Sequence, residues 1–459
     1  MAVPIILAGT AVGVSDTNRP GGQAWAETTR ILYNYLRRSM TDFEDHRKAV
    51  YKRTWRHHVL KTVPLIYRLA RELATFYVRP PTRRYDLDTG FEMEGAGMSA
   101  ADALNAEASI NTAMRFAQEQ LVALGNATLW VWPSTATGTI RVICPPPHMQ
   151  AVELFDPMGS EERDVAAWFV KMAVNQDPNT GLTTYATARI TPTTAVWADG
   201  PADMKGKGVW TESGENPIGM IPAVRLRSAD PAPGEFWAPA NGDLLDAQRA
   251  VCHDFTDMGL VAKLQSHGQA VLRGIHGASD EIEIGPETVI GLPDTDASFE
   301  IVASNANLDG YQRVSSAYLE AVIATNGLNP QTVMKSTGIT AVAKQVELAD
   351  REIERRRHLA EFKRAEQMVF DALRLFRNWM RGSEVIPRAT VSVTYREPYM
   401  PADPLHEAQR TERLIQMGIT SAARELARLE GIGIDEARAR VLENRADTNA
   451  LDALNPATE

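Results

Sequence analysis

The chain has 459 residues, 44% of them hydrophobic and 23% charged, which suits two to four globular domains or one elongated multi-part subunit. Its formal net charge of −10 excludes a protein that coats nucleic acid tightly, because non-specific affinity comes from neutralising phosphates. The charge is uneven: from Arg30 to Arg84 there are 14 Lys/Arg against four acids, so the rest of the chain carries about −20.

Two cysteines, Cys144 and Cys252, fall in different predicted elements and have no CxxC or Cys/His spacing. They read as buried thiols of a protein made in a reducing compartment. No run approaches the roughly 18 apolar residues that would span a bilayer. The start, MAVPIILAGTAVGV, is apolar but lacks the basic segment of a secretory signal, and reads as a flexible or partner-bound arm.

In chain order, residues 24–79 read as helices. Val63–Val78 places Val63, Ile66, Leu69, Leu73 and Phe76 at helical spacing, and Pro80-Pro81 ends the run. The cluster Lys52, Arg53, Arg56, His57, His58 and Lys61 reads as a solvated or subunit-facing surface in preference to a DNA contact. Residues 105–124 form an amphipathic helix closed by Gly125. Strands are expected at Ala127–Trp132, Thr139–Cys144, Val165–Val174, Thr183–Ile190 and Thr194–Trp197, separated by turn clusters such as NQDPNTG. This region of antiparallel hairpins ends at NPIGMIPAVRLRS, and the Pro/Gly/Ala-rich ADPAPGEFWAPANG (229–242) reads as a boundary.

A helix at Asp243–Gln265 follows, with Leu244, Val251, Phe255, Met258 and Ala262 on one face. A second at Leu308–Thr325 repeats the stripe with Leu308, Tyr311, Val314, Tyr318 and Val322. Between them lies an acidic insert with short strands at Gln269–Arg273, Thr288–Gly291 and Phe299–Ala303. A polar loop, NGLNPQTVMKSTG (326–338), opens a very long helix over Ile339–Met380. Its expected seam runs Val342, Val346, Ala349, Ile353, Phe362, Val369, Leu373, Phe376 and Met380. At 1.5 Å per residue it would be about 60 Å long, more than a compact core requires. A strand at Thr390–Tyr395 precedes tail helices near 404–416, 421–429 and 435–445, and the sequence beyond Arg445 reads as frayed.

No catalytic constellation accompanies these elements. MKGKGVW lacks the spacing of a phosphate-binding loop, and neither HExxH nor GxSxG occurs. The vicinal His57-His58 lack a third metal ligand, and the acids of the insert read as a charged surface in preference to a two-metal nuclease cluster. The sequence therefore predicts no enzyme, no cofactor and no metal.

The order of parts is more specific than any motif. A hairpin region closing in N-P-I-G-x-I-P-x-V (216–224) precedes a proline-rich turn, a helix, a β-insert, a second helix, a polar loop, a long helix, one strand and a helical tail. Over nearly its whole length the chain thereby resembles the portal proteins of tailed bacteriophages. HHVLKTVPLIYRLARELATFYVRPP resembles that family's early wing helix, and GLVAKLQSHGQAVLRG its stem helix entering the clip. NGLNPQTVMKSTGITAVAKQVELADREIERRR resembles its tunnel loop and following helix. YREPYMPADPLHEAQRTERLIQMGITSAARELARLEG resembles its return strand and crown.

The resemblance implies an α+β, mainly helical, elongated subunit. It would have a wing (1–242), stem helices (243–265 and 307–325), a β-containing clip (266–306), a tunnel loop (326–338), a long helix (339–382), a return strand of the wing (383–399) and a crown and tail (400–459). It implies a homo-oligomeric ring, usually of twelve subunits, at one capsid vertex of a virion made in a bacterial cytoplasm, with no membrane partner. Double-stranded DNA would pass through the channel during packaging and ejection. The terminase motor, head-completion or adaptor proteins and the major capsid protein would be its partners. Asn326, Asn329, Gln331, Lys335, Ser336 and Thr337 would face DNA in the tunnel loop. Asp280, Glu281, Glu283 and Glu287 would form the docking surface of the clip. The alternatives are another minor capsid or head–tail connector protein, a DNA-packaging enzyme, for which the missing phosphate loop is the discriminator, and a cellular scaffold.

Overall fold

The computed structural model describes residues 22–52, 61–88, 90–135, 137–156, 159, 161–176, 182–232, 235–267, 269–273, 298–302, 308–325, 341–395, 404–430 and 433–454. The fold is α+β. The chain divides into two compact units, Met1–Lys335 with Asp350–Glu397, and Ser336–Ala349 with Pro398–Glu459.

The first unit is organised around helix α5 (Ile110–Leu124), which follows α1 (Gly22–Leu36), α2 (Thr41–Tyr51), α3 (Leu65–Leu73) and α4 (Gly95–Glu107). Ile110, Ala113, Met114, Ala117 and Leu121 recur at helical spacing and are buried against the β-region. Ala123 and Leu124, at the far end, pack instead into a helical core with Leu32, Phe43, Ile66 and Leu69 of α1–α3. One helix thus joins two cores. Gly125 ends it in the left-handed conformation, φ 78°, and a Cβ there would lie 2.7 Å from the carbonyl oxygen of Pro239.

The β-region contains two sheets and a separate strand pair. β2 (Asn126–Ser134) is flanked by β3 (Thr139–Ile143) and β8 (Ala223–Arg227), while β4 (Gln150–Leu154), β5 (Val165–Gln176), β6 (Thr183–Ile190) and β7 (Ala195–Asp199) form an antiparallel meander. Gln150 joins the sheets: its Oε1 accepts from Trp130 Nε1 on β2 and Trp168 Nε1 on β5, each at 3.0 Å. β1 (Thr82–Leu87) pairs antiparallel with β11 (Ala389–Thr394), Tyr85 opposite Val391.

β1, β4 and β8 were not expected from sequence. Their pairings bring distant or polar stretches together: Arg225 of β8 is buried opposite Thr128, with its guanidinium 4.1 Å from the Phe236 ring centroid. Two expected helices also end differently. The run 105–124 breaks at Ala108-Ser109, because Ser109 adopts φ 54° and the Ala108 carbonyl accepts from Val142 N at 3.0 Å. The run Val63–Val78 ends at Leu73. There Gln118 donates to the Leu73 carbonyl and accepts from Phe76 N, and Phe76 and Tyr77 turn into the core.

Gln118 exemplifies a device that recurs. The side-chain carboxamides of Gln118, Asn126, Gln248, Gln367 and Asn378 each accept from a backbone N–H and donate to a backbone carbonyl of another segment. Each stands in for a missing peptide partner where an unpaired polar group would be costly. Gln367 does this along the free edge of β11, at Ala389 O and Val391 N. Asn126 grips both polar groups of Ala238, inside the proline-rich stretch read as a boundary, where Phe236 and Trp237 are buried.

Helix α6 (Gly242–His267), strands β9 (Gln269–Arg273) and β10 (Ser298–Val302), and α7 (Leu308–Thr325) come next, with β9 and β10 paired antiparallel. The long helix α8 runs Ala341–Arg381. Phe362, Ala365, Val369, Phe370, Leu373 and Phe376 form its buried stripe, whereas Ile353, expected in the seam, is 57% exposed. The side chains of Val342, Val346 and Ala349 lie outside the described residues.

The second unit contains α9 (Pro404–Gln416), α10 (Ala422–Glu430) and α11 (Ile434–Leu454). Gly418, φ 70°, turns the chain after α9, and Ser421 caps α10 through its Oγ and carbonyl, which accept from Arg424 N and Glu425 N. α11 continues to Leu454, past Arg445 where the sequence reads as frayed: the stretch contains no proline or glycine before Leu454, and Ala446, Ala450 and Ala453 favour helix.

Candidate functional site

The α6–α7 hairpin carries exposed apolar side chains beside a groove between its helices. The first half of α6 is anchored in the helical core by Leu244, Leu245, Val251 and Cys252. Beyond it the helix emerges, and Phe255 is 42% exposed. α7 docks through Leu319 and Ile323, and the Ser315 hydroxyl donates to Asp254 Oδ2 at 2.5 Å.

The stripe on α7 has no direction in the sequence, and this docking sets it. Ser315, Leu319 and Ile323 face α6, so the adjacent stripe turns away, leaving Val314 72% and Tyr318 41% exposed. The small Ser315 and Ser316 leave a groove of about 410 Å³ between the helices, walled by Val251, Phe255, Met258 and Leu319. The side chains of Leu308 and Tyr311 lie outside the described residues. The outcome is an amphipathic helix with apolar groups on both sides, one side satisfied within the chain and the other not.

The residues predicted to meet DNA, Asn326, Asn329, Gln331, Lys335, Ser336 and Thr337, all lie outside the described residues. So do the acids Asp280, Glu281, Glu283 and Glu287 and the strand expected at Thr288–Gly291. The hairpin brings the ends of both segments into view only as β9–β10 and the C-terminus of α7.

Part of the basic N-terminal excess is consumed internally. Arg30 bridges Glu27 and Asp42, Lys48 pairs with Asp45, Arg84 with Asp86, and Arg38 lies 4.0 Å from the Tyr67 ring centroid. Arg83 is committed to a buried Glu366. Lys52 and Lys61 are exposed, while Arg53, Arg56, His57 and His58 lie outside the described residues.

Among the described residues no group of three or more His, Cys, Asp or Glu is placed to hold a metal ion, and no helix is long and apolar enough to cross a membrane. Cys144 and Cys252 are free, and burial pushes both thiols above their ordinary values, so neither is set up as a nucleophile.

No protein-family model matches the chain, and no curated protein matches it. Among solved structures it is similar to a chain in the neck of an empty gene transfer agent particle, with 12% identity and a TM-score of 0.38, covering 80% of this chain and 89% of that one. A chain of the native gene transfer agent virion gives 11% identity and a TM-score of 0.38 over 80% and 90% of the two chains. A chain in the neck of the native particle, computed with C12 symmetry, gives 10% identity and a TM-score of 0.41 over the same shares.

Proposed function

We propose that this chain is a structural portal subunit, which assembles with copies of itself into a ring at one capsid vertex and lets double-stranded DNA pass during packaging and ejection. The observation that carries the reading is the α6–α7 hairpin. It is anchored at one end, leads into a β-pair at the other, and holds Phe255, Val314 and Tyr318 toward solvent in the isolated chain. Fully burying each such side chain is worth about 1.5–3 kcal/mol, and a closed ring would repeat that gain at every interface.

The rest of the chain suits the same role. A net charge of −10 disfavours tight adhesion of DNA, which a channel has to release. The segment 326–338 would supply one cation per subunit, Lys335, beside the polar Asn326, Asn329, Gln331, Ser336 and Thr337. Asp280, Glu281, Glu283 and Glu287 would form an acidic surface for the terminase motor and later for head-completion proteins. The major capsid protein would surround the ring.

Negative-stain imaging of the purified full chain tests the class directly. Rings with a central hole support a portal, and compact monomers at every concentration contradict it.

A further inference from the structure

A second feature lies where α2 meets α6. His46 Nδ1 is 3.0 Å from His253 Nε2, His253 Nδ1 is 3.2 Å from the Tyr51 hydroxyl, and that hydroxyl donates to Asp257 Oδ1 at 2.5 Å. Phe43 closes one side, its ring edge-on to His253 with centroids 4.9 Å apart.

The carboxylate fixes the direction of this chain of hydrogen bonds. Asp257 only accepts, so Tyr51 donates to it and offers its oxygen lone pair to His253 Nδ1–H. His253 Nε2 then carries the lone pair, and His46 Nδ1–H donates to it. Both imidazoles are neutral in this arrangement. One added proton is tolerated: on His46 Nε2 it leaves the Nδ1–H···Nε2 bond intact, and when it sits on His253 instead, His46 Nδ1 becomes the acceptor. A second leaves two N–H groups and two positive charges facing each other at 3.0 Å, and the contact is lost.

We propose that the His46–His253 pair is an acid-sensitive latch that holds α2 against α6 at neutral pH and releases it when both rings are protonated.

The surrounding charges agree in sign. Burial lowers the proton affinity of both rings. Arg249 of α6 disfavours a charged His46 while Asp246 favours it; the neighbouring His46 and Arg249 disfavour a charged His253 while Asp257 and Asp254 favour it. α2 adds Tyr51 and the buried Arg47, the loop before α3 adds Lys61, whose backbone N–H donates to Thr256, and α7 adds Ser315, which holds Asp254. A histidine whose folded proton affinity is lowered contributes stability fully above its ordinary value near 6.5, and loses it as the pH falls. The release therefore occurs on mild acidification.

Hydrogen exchange on the full chain tests the latch at about pH 7.5 and about pH 5, corrected for intrinsic rates. Protection of α2 amides should fall on acidification, because the released rings bind protons more tightly than the latched pair does. The loss at α2 should exceed any loss at the β2–β8 amides, which follow global stability. His253→Gln, and independently His46→Gln, should abolish that pH response. His148→Gln, which removes a buried histidine elsewhere, should leave it intact. Equal α2 protection at both pH values overturns the proposal, as does a response that survives both glutamine substitutions or disappears only with His148→Gln.

Discussion

Arg83 and Glu366, 283 residues apart, form a two-nitrogen ion pair inside the core: Nε donates to Oε2 at 2.9 Å and Nη2 to Oε1 at 2.8 Å. Tyr77 donates to the same Oε1 at 2.8 Å, and Asn111 accepts from Arg83 at 2.7 Å. The pair ties β1 to α8 beside the β1–β11 ladder, so the long helix is held to the β-region by charge as well as by its apolar stripe. Glu366→Ala would leave the guanidinium buried without its counter-charge, a loss of about 3–5 kcal/mol. Urea unfolding should show it. The double change Arg83→Met with Glu366→Leu should recover much of it, and a cost under about 1 kcal/mol for Glu366→Ala would mean that water reaches the pair.

Gly125→Ala should destabilise more than Gly138→Ala. Both glycines have positive φ, 78° and 67°, but only at Gly125 does the added carbon meet a backbone oxygen, that of Pro239, whereas Gly138 is open. Thermal unfolding should therefore show about 1 kcal/mol lost at Gly138 from backbone strain and a larger loss at Gly125. Equal losses would show that the 239 segment gives way.

His148 confers a pH dependence of its own. Burial, and then the charge of Arg30, push its proton affinity down to about 4 from 6.5. Its contribution is complete above 6.5 and declines as the pH falls toward 4. Between about pH 7 and about pH 5 this one group should cost roughly 2 kcal/mol of stability. Urea midpoints for the native chain and for His148→Gln, compared at the two pH values, check the difference.

Two variants test the proposed channel and docking surfaces. Lys335→Ala should leave ring assembly intact and change DNA packaging or retention modestly, because one cation per subunit gives only transient phosphate contact. Glu281→Gln with Glu283→Gln should weaken motor or adaptor binding without affecting the ring. Particle yield, packaged DNA and adaptor pull-down measure these. Loss of assembly in Lys335→Ala would make the loop a structural joint.

Elements with local signals were legible in the sequence. α7 at Leu308–Thr325 and β6 at Thr183–Ile190 match their expected bounds, because periodicity and flanking turns define them without outside help. The strands β1 and β8 were not legible. Their partners lie far along the chain, and the buried Arg225 gives β8 the look of an exposed strand. Gln118, Gln248 and Gln367 sit on helices where glutamine reads as a solvated residue, yet each holds a distant backbone segment. The α7 stripe was legible, but its direction was not: only the docking of Ser315 and Leu319 on α6 shows that Val314 and Tyr318 face outward. The histidine latch gave no signal, since His46 and His253 are 207 residues apart.

In the proposed ring the outward stripe of α7 is buried between copies of the chain. Native mass spectrometry of the full chain, beside a variant carrying Val314→Asp and Tyr318→Asp, tests it most directly. The native chain should form a closed species near twelve copies, and the variant folded monomers with unchanged circular dichroism, since both side chains are exposed in the single chain. A native chain that stays monomeric at high concentration, or a variant that forms the same ring, would contradict it.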